Sequence, residues 1–504
     1  MRFPDYDYLD ACDLARLIAR HEIHAAEILE AALERADARN PTLNAIISRF
    51  DDEARTCARG ALPAGPLSGV PFLLKDLVTA WEGHPLTGGS RFLRHEVAAA
   101  DSDVVRRLKA AGLILFGQTS TSEFGIKAVT EPVFRGPSRN PWNPKHTPGG
   151  SSGGAAAAVA ARIVPAAHGN DAGGSLRIPA SCCGVFGFKP SRGRVSFGPL
   201  REPPLSGLAT EGIISRSVRD CSGLLDILSG LSSGDPYTAP TPLRPFLTEI
   251  GIPPPKLRIA ITRRSFFGHA THPECVAAVD KAARLFRDLG HRIEEDHPAV
   301  DRESLVRAYL VALSAQTATD VARATAAVGR RPRPTELEPE TRVLAAAGKR
   351  FTAYELAVAE SEMHRAAQIM GTFHESFDLL VSATMAQPPG PIGALRPRGL
   401  EQLALEVIAR LPARRAVDFL LDTLAARSFD ATGNTMLFNQ TGQPAMSLPL
   451  HISANGLPVG IQVAARYGEE ALLFRLAAQV EAAEPWACHT PPLVSDHPDP
   501  QRTA

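Results

Sequence analysis

Lys75 lies in the run GVPFLLKDL, an ammonium among apolar side chains. Burying such a charge is costly unless it is paired or deprotonated. Burial also lowers a lysine pKa until the side chain becomes a usable base near neutral pH. The bland alternative is that Lys75 ends a strand and ion-pairs with Asp76 or another acid, and the local pattern alone leans that way. Further on, TPGGSSGG sets Ser151 and Ser152 between glycine pairs. Gly149 to Gly153 formally matches the G-x-S-x-G nucleophile elbow, but that motif needs a strong strand before it, and NPWNPKHTP stands there instead. A glycine-rich loop feeding a helix can also hold phosphate, yet no G-K-[ST] follows and no G-x-G-x-x-G is present. A third segment, GNDAGGSLRIPA, strings together the N–H groups of Ala172, Gly173, Gly174 and Ser175. Such a nest suits an oxyanion hole, with the Ser175 hydroxyl presented to the same point; a glycine turn capping an element is the structural alternative. Asp171 is expected to hydrogen-bond this nest or its backbone rather than to transfer protons.

Rival chemistries are poorly supported. His168, between AA and GN, reads as packed or capping. No H-E-x-x-H occurs, and His21-Glu22-Ile23-His24 has neither the spacing nor a further ligand, so no metal site is expected. Cys182-Cys183 have apolar neighbours and read as core fillers. The seven cysteines are odd in number and include no C-x-x-C, which argues for buried reduced thiols rather than disulfides or zinc.

The elements that must position these residues suggest an α/β fold. Apolar residues recur at helical spacing from Leu9 to Arg39, where Asn40-Pro41 is expected to close the helix. Leu43 to Phe50 is either a strand or the next helix. Val70 to Leu77 is a short apolar run. Asp101 to Ala111 reads as a helix and Leu113 to Phe116 as a buried strand, an alternation that implies a sheet covered on both faces. The glycine-rich 136–200 stretch opens onto the small-residue helix AAAAVAAR. Later, Leu257–Ile261 and Phe377–Ala383 read as strands, and Arg292-Ile293 as the start of another. Pro273–Leu289, most of 302–371 and Glu470–Ala483 read as helices.

The 504 residues carry 54 Lys+Arg against 54 Asp+Glu. That balance shows no basic excess for nucleic acid. The acidic N-terminus lacks an apolar signal region, and no stretch is long enough to span a bilayer, so the chain reads as soluble and cytoplasmic with no membrane partner.

Taken together, Lys75-Asp76, PGGSSGG at 148–154, GNDAGGSLRIPA at 169–180 and GVFGFKPSRGRVS at 184–196 resemble the amidase signature family. The likeness continues through GLATEGIISRSVRD (207–220), FNQTGQPAMSLPL (438–450) and GLPVGIQVAAR (456–466). It implies one large α/β domain over 1–490, with a mixed, mostly buried β-sheet flanked by helices on both faces. Within it lie an N-terminal helical segment (9–39), a catalytic core (65–230), a variable substrate-shaping region (300–430) and a C-terminal core (431–490), with a frayed tail at 491–504. Carried over residue by residue, Ser175 becomes the nucleophile, Lys75 the general base and Ser151 the bridging serine, typically preceded by a cis peptide bond. The amides of Ala172, Gly173, Gly174 and Ser175 become the oxyanion hole, and Ser152, Asp171 and Arg177 support them.

The resemblance implies hydrolysis of a small-molecule carboxamide through an acyl-enzyme, with no metal or cofactor; homodimers are frequent in the family. Within it the chain looks most similar to bacterial amidases of neutral aliphatic or cyclic amides, of the 6-aminohexanoate cyclic-dimer hydrolase kind. Ile178 stands where glutamine-using amidotransferase subunits usually have glutamine, which argues against that alternative. An inactive scaffold would show erosion of the lysine or a serine, and all three are intact. Asn170 replaces the common Thr or Ser. The walls of the substrate pocket are expected from Trp81–Ser90, Phe134–Trp142, Phe197–Pro204 and 300–430.

Overall fold

In a computed structural model, residues 4–495 are described apart from 269 and most of 398–427. Part of the expected substrate-shaping region, and the tail from 496, therefore lie outside the described residues.

Among the described residues, eleven strands form one mixed sheet. In chain order they are β1 (Ile46–Arg49), β2 (Pro71–Lys75), β3 (Ile114–Thr119), β4 (Ala166–Asp171), β5 (Phe186–Lys189) and β6 (Thr210–Ser215), then β7 (Arg258–Ile261), β8 (Arg292–Glu295), β9 (Leu379–Ala383), β10 (Ala445–Ile452) and β11 (Pro458–Ala465). Their order across the sheet is β1-β3-β2-β4-β6-β5-β10-β11-β9-β7-β8. β2 runs parallel to β3 and β4, β7 runs parallel to β8 and β9, and the strands between pair antiparallel.

Both faces of the sheet are covered, and the side-chain period of two shows how. Leu379, Val381, Met446, Leu448, Ile461 and Val463 enter the main core, whereas the intervening Leu380, Ala445 and Ala464 enter a second core. That second core is closed by the helices Arg302–Val328 and Ala353–Ser376, through Leu305, Leu310, Val311, Met363 and Met370. Helix Gly153–Ala160 is buried along its whole length. Its glycines and alanines let the backbone approach closely: a Cβ on Gly154 would stand 2.5 Å from the Ser120 nitrogen and 2.6 Å from the Ala45 carbonyl oxygen.

Several expectations need correction. The single helix expected over 9–39 is two, Ala11–Ala19 and Ala25–Leu43, separated by a turn with His21 at positive φ. Asn40-Pro41 does not close the second helix. The Asn40 side chain instead accepts hydrogen bonds from the N–H groups of Ala45 and Ile46, and the helix ends at left-handed Asn44. Leu43 to Phe50 resolves into β1, followed by an unanticipated helix, Asp51–Arg59, with three acids in its first turn. β4, β5 and β6 were not anticipated as strands, because their glycines and polar residues mask the apolar pattern. The cysteines divide: Cys182, Cys183, Cys221 and Cys275 are buried, while Cys57 and Cys488 are exposed and Cys12 is intermediate. No helix among the described residues is long and apolar enough to cross a membrane.

Candidate active site

Parallel pairing brings the carboxyl ends of β2 and β4 side by side, and such ends are where open α/β sheets bind ligands. Lys75 is the last residue of β2; Asn170 and Asp171 are the last of β4. The loop 148–152 crosses over them before entering helix Gly153–Ala160. Its Gly150–Ser151 peptide bond is cis. Two hydrogen bonds tie this loop to the end of β4 and the turn after it: the Ser152 N–H donates to the Ser175 carbonyl (3.2 Å) and the Ser152 hydroxyl to the Asn170 backbone carbonyl (3.2 Å). Thr130 clamps it from outside, donating its hydroxyl to the Gly149 and Ser151 carbonyls and accepting the Gly153 N–H.

Lys75 is completely buried. Its Nζ donates to Ser151 Oγ at 2.7 Å and to Asn170 Oδ1 at 2.6 Å. Burial pushes its pKa down to about 7, with the charges of Glu211 and Asp171 opposing. Asp76 is not its ion-pair partner: that carboxylate accepts the backbone N–H (2.7 Å) and the hydroxyl of Thr87. Asn170 is held by its own amide, whose Nδ2 donates to the Leu77 carbonyl at 3.1 Å. The sequence marked Asn170 only as a departure from the family pattern; its contact with the lysine is new. His168 is packed, as expected, with Nε2 3.0 Å from Glu211 Oε2.

Around the nest, Asp171 does the hydrogen bonding anticipated for it. Its carboxylate accepts the N–H groups of Gly174 (2.7 Å) and Leu176 (3.1 Å), the Asn439 amide (2.8 Å), and both Nε and Nη2 of Arg177 (2.9 Å each). Arg177 donates further to the Thr435 carbonyl, Gln462 and Asn439. Neither side chain of this ion pair is exposed. Burial alone would raise the Asp171 carboxyl; the guanidinium overrides it and holds the group well below the usual carboxylate range. The Gly174 N–H is thus committed to Asp171. That narrows the expected oxyanion donors to the amides of Ala172, Gly173 and Ser175.

Two cavities meet at Ser175. The larger, about 450 Å³, is also lined by Ser151, Asn170, Phe197, Leu200 and Arg201. The smaller, about 150 Å³, is walled mainly by Ile126, Ile178, Leu310, Leu344, Phe429 and Met436. Gly125, Gly173, Tyr309 and Leu313 line both. The expected walls 81–90, 197–204 and 300–430 all contribute residues. The Phe134–Trp142 loop lines neither cavity; its Trp142 indole donates instead to the Cys183 carbonyl at 2.8 Å. Leu93 to Ala99 and Phe124 to Val129 contribute wall residues without any sequence signal for it.

Residues 27–474 match the amidase family. The chain belongs to this family of hydrolases, which cleave carbon–nitrogen bonds through an acyl-enzyme on serine. It is 38% identical over 493 residues to a 6-aminohexanoate-cyclic-dimer hydrolase of Paenarthrobacter ureafaciens, covering 96% of this chain and 97% of the relative. A solved 6-aminohexanoate cyclic dimer hydrolase complexed with substrate superposes with a TM-score of 0.87 at 36% identity, covering 97% of this chain and 99% of that one. A bacterial aryl acylamidase of the same family superposes at 0.83 with 27% identity, covering 95% and 97%.

Proposed function

We propose that this amidase hydrolyses neutral aliphatic or cyclic carboxamides, with the 6-aminohexanoate cyclic dimer as the leading candidate, through Ser175, Ser151 and Lys75. The observation that carries the reading is the 2.7 Å contact between a fully buried Lys75 and Ser151, beside a serine that opens on two cavities. Neutral Lys75 takes the proton of Ser151 as Ser151 takes that of Ser175, and Ser175 Oγ adds to the amide carbonyl. The negative charge on the carbonyl oxygen is met by the amides of Ala172, Gly173 and Ser175; losing one comparable donor costs about 3–4 kcal/mol. The carbon–nitrogen bond then breaks as Ser151 returns a proton to the leaving nitrogen, itself reprotonated by Lys75. Water, deprotonated by the same relay, adds to the ester and releases the acid.

The direction of that last proton assigns the two cavities. Ser151 lines the larger and not the smaller, so the leaving amine occupies the larger and the acyl group the smaller. At about 150 Å³ the acyl cavity has about a third of the volume of the larger one, about 450 Å³, which suits a short alkyl chain. Its charged residues, Lys127 and Glu340, pair with each other at 2.8 Å, which suits an uncharged chain.

The test is to incubate the protein and its Ser175→Ala variant with hexanamide, linear and cyclic aminohexanoate dimers, an anilide and glutamine, following products by mass spectrometry. Cleavage of the cyclic dimer or the aliphatic amide, lost in the variant, supports the reading. Ammonia from glutamine alone overturns it in favour of an amidotransferase role.

A further inference from the structure

The nest is roofed by a side chain that the reaction outlined above does not use. Tyr309 projects from helix Arg302–Val328, and its ring packs edge-on to Phe429 with centroids 6.2 Å apart. Its hydroxyl lies so close to Gly173 that a Cβ on that residue would collide with it. Here the close contact is with the phenol, and no backbone atom is among the nearest neighbours. Tyr309 is one of the few residues that line both cavities, and the others in that set include Ser175 and Gly173. The phenol therefore borders the space that the scissile carbonyl must enter if Ser175 is to attack it. Its hydroxyl hydrogen-bonds to none of the described residues, and the half-buried side chain lines both cavities, so the O–H can donate to a carbonyl oxygen bound there. Meanwhile Gly174 has given its N–H to Asp171, so the nest holds one backbone donor fewer than its sequence offers.

Resting on the reading of Ser175 as nucleophile, we propose that Tyr309 is a catalytic residue, a side-chain donor that adds its O–H to the amides of Ala172, Gly173 and Ser175 on the oxygen of the tetrahedral intermediate. The phenol stays neutral throughout: it donates a hydrogen bond without losing its proton, and no bond is made or broken at Tyr309. Burial, with Asp171 adding to it, pushes the phenol well above its ordinary range, so it remains a donor wherever Lys75 is neutral enough to act. A donor aimed at charge that develops only on the way to the intermediate acts on the chemical step and little on ground-state binding.

The experiment is single-turnover acylation by p-nitrophenyl hexanoate, with nitrophenolate release compared in the wild type and Tyr309→Phe, which keeps the ring against Gly173 and Phe429. Ligand affinity is measured in parallel by calorimetry with hexanamide, using Ser175→Ala with and without Tyr309→Phe. The expected result is acylation slowed by about 10- to 100-fold, with affinity changed by less than about twofold and the pH midpoint of the rate unmoved. An unchanged acylation rate overturns the proposal, as does weakened affinity that accounts for the whole loss, which makes Tyr309 a wall. No acylation of the wild type overturns both this proposal and the assignment of Ser175, whereas normal wild-type acylation with an unaffected variant overturns this one alone.

Discussion

Two lysines end strands in this protein, Lys75 on β2 and Lys189 on β5. Both are completely buried, and burial lowers the pKa of each. Their surroundings differ. Lys75 donates to the Ser151 hydroxyl and to the Asn170 side-chain oxygen Oδ1, and both of these partners line the larger cavity. Lys189 donates to the carbonyl of the next residue, Pro190, at 2.8 Å, a partner that lines neither cavity, and is pushed further down by Arg177 while Asp171 opposes. Desolvation is therefore common to both and makes neither of them a base by itself. What distinguishes Lys75 is a hydroxyl within hydrogen-bond reach that can pass the proton on.

The comparison breaks most visibly if the two lysines behave alike in catalysis. Lys75→Met is expected to lower kcat/KM by about 10³- to 10⁴-fold, the upper part of what a positioned proton-transfer group supplies. Lys189→Met should leave kcat/KM within an order of magnitude, measured on whichever amide the wild type cleaves. The pH profile sharpens the same contrast: kcat/KM of the wild type should rise through a pH of about 7, as Lys75 loses its proton, and level off above it. Lys189→Met should keep that limb.

Next in size is the ion pair between Asp171 and Arg177. Arg177→Met leaves a buried carboxylate uncompensated and should cost about 3–5 kcal/mol of stability, read from the denaturant midpoint. Asn170→Ala comes third. Losing one charge-assisted contact to Lys75 should lower kcat/KM by about tenfold. It should also move the pH limb downward, because the amide oxygen favours the protonated amine.

A further contrast is thermodynamic, and here the lysines should agree. An unfolded Lys75 binds its proton up to about 10.5 and the folded one only to about 7. Between those values the unfolded chain carries more protons, so stability rises with pH across that window, and below it the full cost of burying the charge is present. Lys189, also lowered, adds a slope of the same sign. Each Lys→Met variant should flatten the rise in stability measured by denaturant titration between neutral and alkaline pH.

Much of the candidate site was legible in the sequence because the proposed chemistry needs particular residue types in short segments. The lysine within an apolar run, the paired serines among glycines and the nest before Ser175 all lie in contiguous motifs, and Asp171 carries out the backbone bonding assigned to it. Asn170 was visible only as an odd residue, because its role depends on β2 and β4 being neighbours, a pairing between segments far apart in the chain. Thr130 and Tyr309 carried no signal: one reaches the site from a loop, the other from a long helix whose pattern reports packing alone. For the fold, the apolar strands β2, β3, β7 and β9 were readable. β4, β5 and β6 were not, since their histidine, glycines and charged residues are tolerated only because neighbouring segments satisfy them. The second helix passes Asn40-Pro41 and ends at Leu43, with the Asn40 side chain fastening the turn that follows rather than closing the helix.

The most direct test of the relay is intact-protein mass spectrometry of a reaction with the 6-aminohexanoate cyclic dimer, quenched by acid before turnover, with peptide mapping of any adduct. Opening a ring leaves the amine attached to the acyl group, so the account predicts a mass gain of the whole ring on the peptide carrying Ser175. That gain should be absent in Ser175→Ala and should accumulate far more slowly in Lys75→Met. An adduct on another residue, or steady hydrolysis by Ser175→Ala, would contradict it.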